Sequence, residues 1–203
     1  MVICMKVLLV NGSPHKNGNT SKALSIIEAA LHERDIQTEW FQLSAKPVRG
    51  CIACEKCRET YRCVFEDDQA NELIEKIIAC DGVVIGSPVY FAGPNGALLA
   101  LLDRVFYAGS CHGRLFNGKI GAAAVTLWRA GSTAALDRLY KYFSYSEMPI
   151  VSSDYWNMLH IGNDQTGEDI LRRLGRNMAE LLDRSIKKRG SDIWTSWIFQ
   201  RSG

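Results

Sequence analysis

Apolar residues along the chain alternate between short unbroken runs and longer stretches in which they recur every three or four positions. Lys6 to Val10 is almost wholly apolar and ends in Asn11-Gly12-Ser13-Pro14, the profile of a parallel strand buried on both faces. Behind it, Asn19, Thr20 and Ser21 suit the start of a helix whose Leu24, Ile27 and Leu31 share one face. Ile36 to Leu43 is rich in strand formers. Residues 44–65 then show no period and carry Pro47, Gly50 and four cysteines, which predicts a long irregular connection of the kind that is usually functional. Asp67 and Asp68 open a second helix with Leu73, Ile74, Ile77 and Ile78 inward. Val83-Val84-Ile85-Gly86 predicts a third strand ending at Ser87-Pro88, and the helix after it turns Leu98, Leu99, Leu102, Val105 and Phe106 to the core. Ile120 to Trp128 predicts a fourth strand. Gly131-Ser132 then caps a helix carrying Ala135, Leu136, Leu139 and Phe143, and Ile150-Val151 begins a fifth strand. A last helix, with Leu171, Leu174, Met178, Leu181, Leu182 and Ile186, ends at Lys187-Lys188-Arg189-Gly190, where cations suit the dipole and glycine the cap.

Five buried strands alternating with helices predict an α/β fold, a three-layer α/β/α sandwich around a doubly wound, five-stranded parallel sheet. Ligands of such sheets sit beyond the carboxyl ends of the strands, where strand order reverses, so the residues just after each strand are the candidates for chemistry. Residues 1–190 form one expected domain with the cysteine-rich loop 44–65 as an insertion, and residues 191–203 form a C-terminal tail. Trp194, Trp197, Ile198 and Phe199 make that tail apolar enough to need a surface, on its own core or on another subunit.

Composition narrows the function classes. With 47% hydrophobic and 23% charged residues, the 203-residue chain has the balance of a globular protein and excludes disorder and fibrous repeats. Lys plus Arg number 24 against 22 Asp plus Glu, and the net charge of +2 is too small to point to nucleic acid or an anionic membrane. No apolar stretch approaches the roughly 18 residues of a membrane span, and Met1 to Val10, interrupted by Lys6, reads as a strand and not as a signal peptide. Seven cysteines without an export signal point to a reducing compartment, by default the cytoplasm, where thiolates bind metal or do redox work.

The loop from Gly12 to Ser21 joins a buried strand to a helix start and is dense in glycines, hydroxyls and amides. Free backbone N–H groups and the positive helix end suit a phosphate, and Ser13, Thr20 and Ser21 can add donors. The same residues also suit a well-capped turn. The loop is not GxGxxG and lacks the Gly-Lys-Ser/Thr ending of a P-loop, which argues against dinucleotides and nucleoside triphosphates. His15 receives no role and Lys16 only a charge contact. Cys51, Cys54, Cys57 and Cys63 follow C-x2-C-x2-C-x5-C, the close spacing by which ferredoxin-type loops supply cluster thiolates. Zinc more often takes two separated C-x2-C pairs, so iron–sulfur leads zinc, with free or redox-active thiols the remaining reading. Val64 stands where ferredoxin loops often carry proline. Cys4, Cys80 and Cys111 read as small buried hydrophobes.

Gly12-Ser13-Pro14 with Asn17-Gly18-Asn19-Thr20, and Gly86-Ser87-Pro88-Val89-Tyr90-Phe91 with Asn95-Gly96 and Leu102-Asp103-Arg104, resemble the two flavin loops of the flavodoxin-like NAD(P)H-dependent FMN reductase family. The cysteine segment resembles that of its iron–sulfur flavoprotein branch. The resemblance covers about residues 5 to 190 and implies the flavodoxin strand order 2-1-3-4-5. It implies FMN, with Ser13, Asn19, Thr20 and Ser21 at the phosphate and Pro88, Val89, Tyr90 and Phe91 along the isoalloxazine. Thr126 to Ser132 stands where the family's third flavin loop stands; within it Gly131 would border the ring, and Arg129 is either a charge near flavin N1 and O2 or a solvated loop residue. The implied activity is electron transfer from NADH or NADPH through FMN to a quinone, free flavin, nitro or azo compound, or protein. The alternative is an electron-transfer protein reduced by ferredoxin and carrying a 4Fe-4S cluster on the four cysteines. Hydride transfer to a flavin needs no side-chain acid, base or nucleophile, so no catalytic residue is named. Flavin pockets of the family are commonly completed at subunit contacts, which implies a homodimer or homotetramer.

Overall fold

The computed structural model describes residues 5–111 and 114–189, without the side chains of 186–189. Chain order is β1 (Lys6–Asn11), α1 (Asn19–His32), β2 (Gln37–Gln42), α2 (Cys57–Thr60), α3 (Ala70–Ile78), β3 (Gly82–Tyr90), β4 (Gly93–Pro94), α4 (Gly96–Ser110), β5 (Ile120–Leu127), α5 (Ser132–Tyr145), β6 (Met158–His160) and α6 (Gln165–Arg189). The parallel strands run in the order β2-β1-β3-β5-β6, and β4 folds back antiparallel on the end of β3. Leaving β4 aside, this is the expected 2-1-3-4-5 order.

Strand side chains alternate between two cores. Leu8, Val10, Val83 and Ile85 pack under α3, α4 and α5, with Leu73, Leu101 and Leu139. Val7, Leu9 and Val84 pack under α1 and α6, with Leu24, Ile27 and Leu174. Burial on both faces is why these strands read as unbroken apolar runs. Strand order reverses between β1 and β3, so the loops that follow β1 and β3 open side by side, with the loop after β5 next to them.

Three local expectations are corrected. The fifth strand is Met158–His160; Ile150 makes only an isolated bridge to Gly121. Between them the Ser153 side chain bonds the Tyr155 carbonyl and Asn157 Oδ1, a local alternative to strand pairing, and the sheet is rejoined where the Asn157 carbonyl accepts the Val125 N–H at 3.0 Å. The third strand does not end at Ser87-Pro88 but runs on to Tyr90, because the hairpin with Gly93 and Pro94 extends it. The helix expected to open at Asp67 is α3, which begins at Ala70, and Ile78 at its end is exposed. The C-terminal tail, Gly190 and Cys4 lie outside the described residues.

Candidate functional site

Asn11, the last residue of β1, is fully buried and organises the loop that follows. Its Oδ1 accepts the Ser13 N–H at 3.1 Å, and its Nδ2 donates to the His15 carbonyl, Ser21 Oγ and Gln42 Oε1 at 3.3, 3.1 and 2.7 Å. Gln42, paired with Asn11 in the β1–β2 register, returns a bond from Nε2 to the Ser13 carbonyl at 2.7 Å. Ser13 Oγ accepts the His15 N–H at 3.1 Å. The loop is therefore shaped by its own side chains before any ligand arrives. No side chain caps α1, and its first turn is closed by the Lys22 N–H on the Gly18 carbonyl at 3.1 Å. The N–H groups of Asn19, Thr20 and Ser21 thus have no acceptor within the helix, the condition for anion binding at a helix start.

The second loop is tied to the first. Asn95 caps α4 by accepting the Ala97 N–H at 3.2 Å, donates from Nδ2 to the Gly12 carbonyl at 2.8 Å, and its own N–H reaches Ser87 Oγ at 3.0 Å. Phe91 and Ala92 make the hairpin tip at φ of 48° and 60°, which leaves Phe91 fully exposed and Tyr90 half exposed. Gly131, at φ +94°, lies beneath this tip, where a Cβ would come within 2.6 Å of Ala92 Cα. Both its left-handed backbone and its close contact require glycine. Trp128 and Arg129 are exposed at the end of β5.

These loops wall an open cleft of about 1200 Å³, counting its mouth, formed by residues 13–19, by Pro88, Val89 and Tyr90, and by Thr126, Leu127 and Trp128, with Ile161 beside them. Ser13, Asn19, Pro88, Val89 and Tyr90 thus come together as the sequence analysis expected. Thr20 does not line the cleft: its hydroxyl is buried against that of Thr126 at 3.0 Å. Ser21 is turned inward, its hydroxyl donating to the Lys16 carbonyl. Phe91, Arg129 and Gly131 are not among the lining residues. Asn11 and Gln42 were given no site role from sequence, and Asn95 entered only as part of the second loop motif; an amide ending a buried strand directly before glycine is the signal that Asn11 offered.

We expect Asn11→Ala to leave the strand but loosen the loop. Unsatisfied buried partners cost about 1–3 kcal/mol, so FMN dissociation measured by flavin fluorescence should rise roughly tenfold or more.

A second pocket, of about 340 Å³ with its opening, is lined by Cys51, Cys54, Cys57 and Cys63 together with Arg104 and Tyr107 of α4. Ala53 and Glu55 sit at φ of 53° and 58°, so the chain winds tightly between the cysteines. Cys51 and Cys54 are exposed, Cys57 is buried and Cys63 is partly so. Burial, and then Cys111 beside it, push the Cys57 thiol up to about 11. Cys111 Sγ contacts the Cys57 carbonyl at 3.6 Å. Cys80 is buried as expected, whereas Cys111 is only partly buried against the core. Among the described residues no three His, Cys, Asp or Glu side chains stand close enough to hold a metal ion as placed. The donor set nevertheless fits a thiolate-held group: four soft ligands line one pocket, beside a buried guanidinium that can balance their charge.

The family model described as NADPH-dependent FMN reductase matches residues 5–162. The chain belongs to this family. Within the FMN reductase family it falls in the iron–sulfur flavoprotein branch: it is 33% identical over 199 residues to an iron–sulfur flavoprotein of Methanocaldococcus jannaschii, covering 91% of this chain and all of that one. Among solved structures, RosB with a bound 8-demethyl-8-formylriboflavin-5'-phosphate intermediate superposes with a TM-score of 0.72 at 13% identity, over 91% of this chain and 81% of that one. An apo NADH:FMN oxidoreductase gives 0.64 at 18% identity, over 87% and 89%. Both share the fold. Family membership makes this FMN reductase relative a flavin oxidoreductase that binds FMN. No helix among the described residues is long and apolar enough to cross a membrane.

Proposed function

We propose that the protein is an electron-transfer flavoprotein that carries FMN in the cleft and a 4Fe-4S cluster on Cys51, Cys54, Cys57 and Cys63, and that exchanges electrons with a ferredoxin-like partner. The observation that carries this reading is the presence, in one chain, of the flavin cleft and of a pocket lined by all four cysteines. When bound, FMN supplies exchange between two-electron and one-electron donors, and the cluster supplies single-electron exchange. The chain's part is to bind and orient. Backbone N–H groups at the start of α1, with Ser13 and Asn19, hold the phosphate; Thr20 and Ser21 brace that turn from behind. Pro88, Val89, Tyr90 and Phe91 offer the ring a flat wall and backbone donors, Gly131 seats that wall, and Arg129 brings positive charge to the mouth.

Direct reduction by NADH or NADPH, with a quinone, free flavin, nitro or azo compound as acceptor, is the second reading. The open mouth and the exposed faces of Tyr90 and Trp128, which leave room for a nicotinamide ring, favour it. The exposed Phe91 and Trp128 also support a homodimer or homotetramer in which a second subunit covers the rim, and the cytoplasm is the compartment that suits six free thiols among the described residues.

Anaerobically purified protein should show flavin bands over a broad iron–sulfur absorbance, with four irons per chain by iron analysis, roughly as a cubane requires. Reduced ferredoxin should bleach the flavin rapidly. Bleaching by NADH or NADPH alone replaces the first reading with the second, and folded protein that takes up no FMN refutes both.

A further inference from the structure

We propose that Arg104 is the positioning residue of the cysteine pocket: its Nε–H, held on Cys63 Sγ, makes Cys63 the pre-placed ligand and raises the reduction potential of the cluster bound there. This rests on the cluster reading above.

Arg104 lies on α4, and its side chain is 1% exposed. Its Nε donates to Cys63 Sγ at 3.2 Å and its Nη1 to the Arg49 carbonyl at 3.2 Å, while both terminal nitrogens meet the Asp68 carboxylate, Nη2 to Oδ1 at 3.0 Å. A single rigid fork therefore gathers the beginning of the cysteine segment, its last cysteine and Asp68, two residues before α3. Lysine cannot reproduce that geometry, because its donors radiate from one point. Cys63 is also held through its backbone, with its N–H on Asn71 Oδ1 at 2.8 Å and its carbonyl accepting from Asn71 Nδ2 at 3.0 Å. Cys51 and Cys54, in contrast, are exposed. Of the four thiols in the pocket, Cys63 is the one whose sulfur takes a guanidinium N–H, and its backbone N–H and carbonyl are both tied to the Asn71 side chain. α4 also begins at Asn95, whose amide holds the Gly12 carbonyl in the flavin loop, so one helix braces both sites.

An N–H donor on a ligating sulfur draws electron density from it and favours the reduced state of a cluster, and such bonds are among the main determinants of cluster potential. Removing Arg104 alone would strand the Asp68 charge, so the informative variant is Arg104→Met with Asp68→Asn. It removes one positive and one negative charge together, keeps an oxygen to accept the Ala70 N–H that Asp68 accepts at 3.1 Å, and deletes the N–H···S bond. A potential shift in this variant then reports the bond and not the net charge.

The test is a spectroelectrochemical titration of the reconstituted cluster in the wild type, in this double variant, in Arg104→Lys and in Asp68→Asn. The double variant and Arg104→Lys should titrate lower, with a change of about tenfold in the reduced-to-oxidised ratio at fixed potential, about 59 mV for one electron. Asp68→Asn, which keeps the donor, should not move downward. A double variant that folds cooperatively but loses its iron supports the positioning role, and Arg104→Lys then carries the potential measurement. Wild-type potential and iron content in both Arg104 variants overturn the inference while leaving the cluster reading standing. Wild-type protein that takes up no iron brings down both.

Discussion

Gly12→Ala is expected to cost the protein its flavin. A Cβ at this position would stand 2.7 Å from the Gly86 carbonyl oxygen and 2.3 Å from Leu98 Cδ2. Leu98 is buried at the head of α4, and the Gly86 oxygen accepts the Gly12 N–H at 2.8 Å, so neither neighbour retreats without opening the seam between β1 and β3. The methyl group is accommodated by moving the loop outward, away from the Asn95 bond that ties it to the second flavin loop. Overpacking of this kind costs about 1–3 kcal/mol, and most of it falls on the loop proposed to hold the phosphate. FMN affinity should drop roughly 100-fold at the upper end of that range, read as loss of flavin through gel filtration and by fluorescence titration. Gly96→Ala is the control: a Cβ there meets nothing within 4 Å. Flavin retained by Gly12→Ala at wild-type affinity would contradict the placement of FMN between these loops.

Asp68→Ala is expected to produce the largest loss of stability. The Arg104–Asp68 pair is buried on both sides, with side-chain exposures of 1% and 7%. Removing one member leaves a guanidinium without its counter-charge, in a place where water does not reach it. Breaking such a pair costs about 3–5 kcal/mol. At roughly 2–4 °C per kcal/mol for a chain of this size, the melting temperature should fall by some 6–20 °C. The Arg104→Met/Asp68→Asn double variant should recover a large part of that loss, because no buried charge remains. A melt within about 2 °C of wild type for Asp68→Ala would mean that the pair is solvated in solution. By contrast, surface pairs such as Arg184–Glu180, with exposures of 70% and 55%, should be nearly silent when cut.

Much of the architecture was legible because burial on both sheet faces writes an unbroken apolar run, and one-sided burial of a helix writes a period near four. Four of the five parallel strands could be placed from those two signals, the strand ends marked the candidate loops, and the flavin reading of those loops came from the family resemblance. The failures share a cause. Ile150-Val151 has the composition of a strand, yet the paired strand resumes only at Met158, after a stretch in which the Ser153 hydroxyl bonds the Tyr155 carbonyl and Asn157 Oδ1. Thr20 and Ser21 have the chemistry of phosphate ligands, but their hydroxyls are turned to Thr126 and to the Lys16 carbonyl. A residue type states what a side chain can bond to, and only the fold states what lies within reach.

By itself, then, the order of residues determined the layers and the four-cysteine segment, which depend on local pattern and spacing, while the strand order and the flavin reading of the loops came through family likeness. The tertiary structure decided which distant groups meet: Asn11 with Gln42, Asn95 with Gly12, and Arg104 with Asp68 and Cys63, across 36 and 41 positions. Those contacts leave no periodic trace, because a single buried hydrogen bond constrains one residue on each side, whereas a buried face constrains every third or fourth residue along its length.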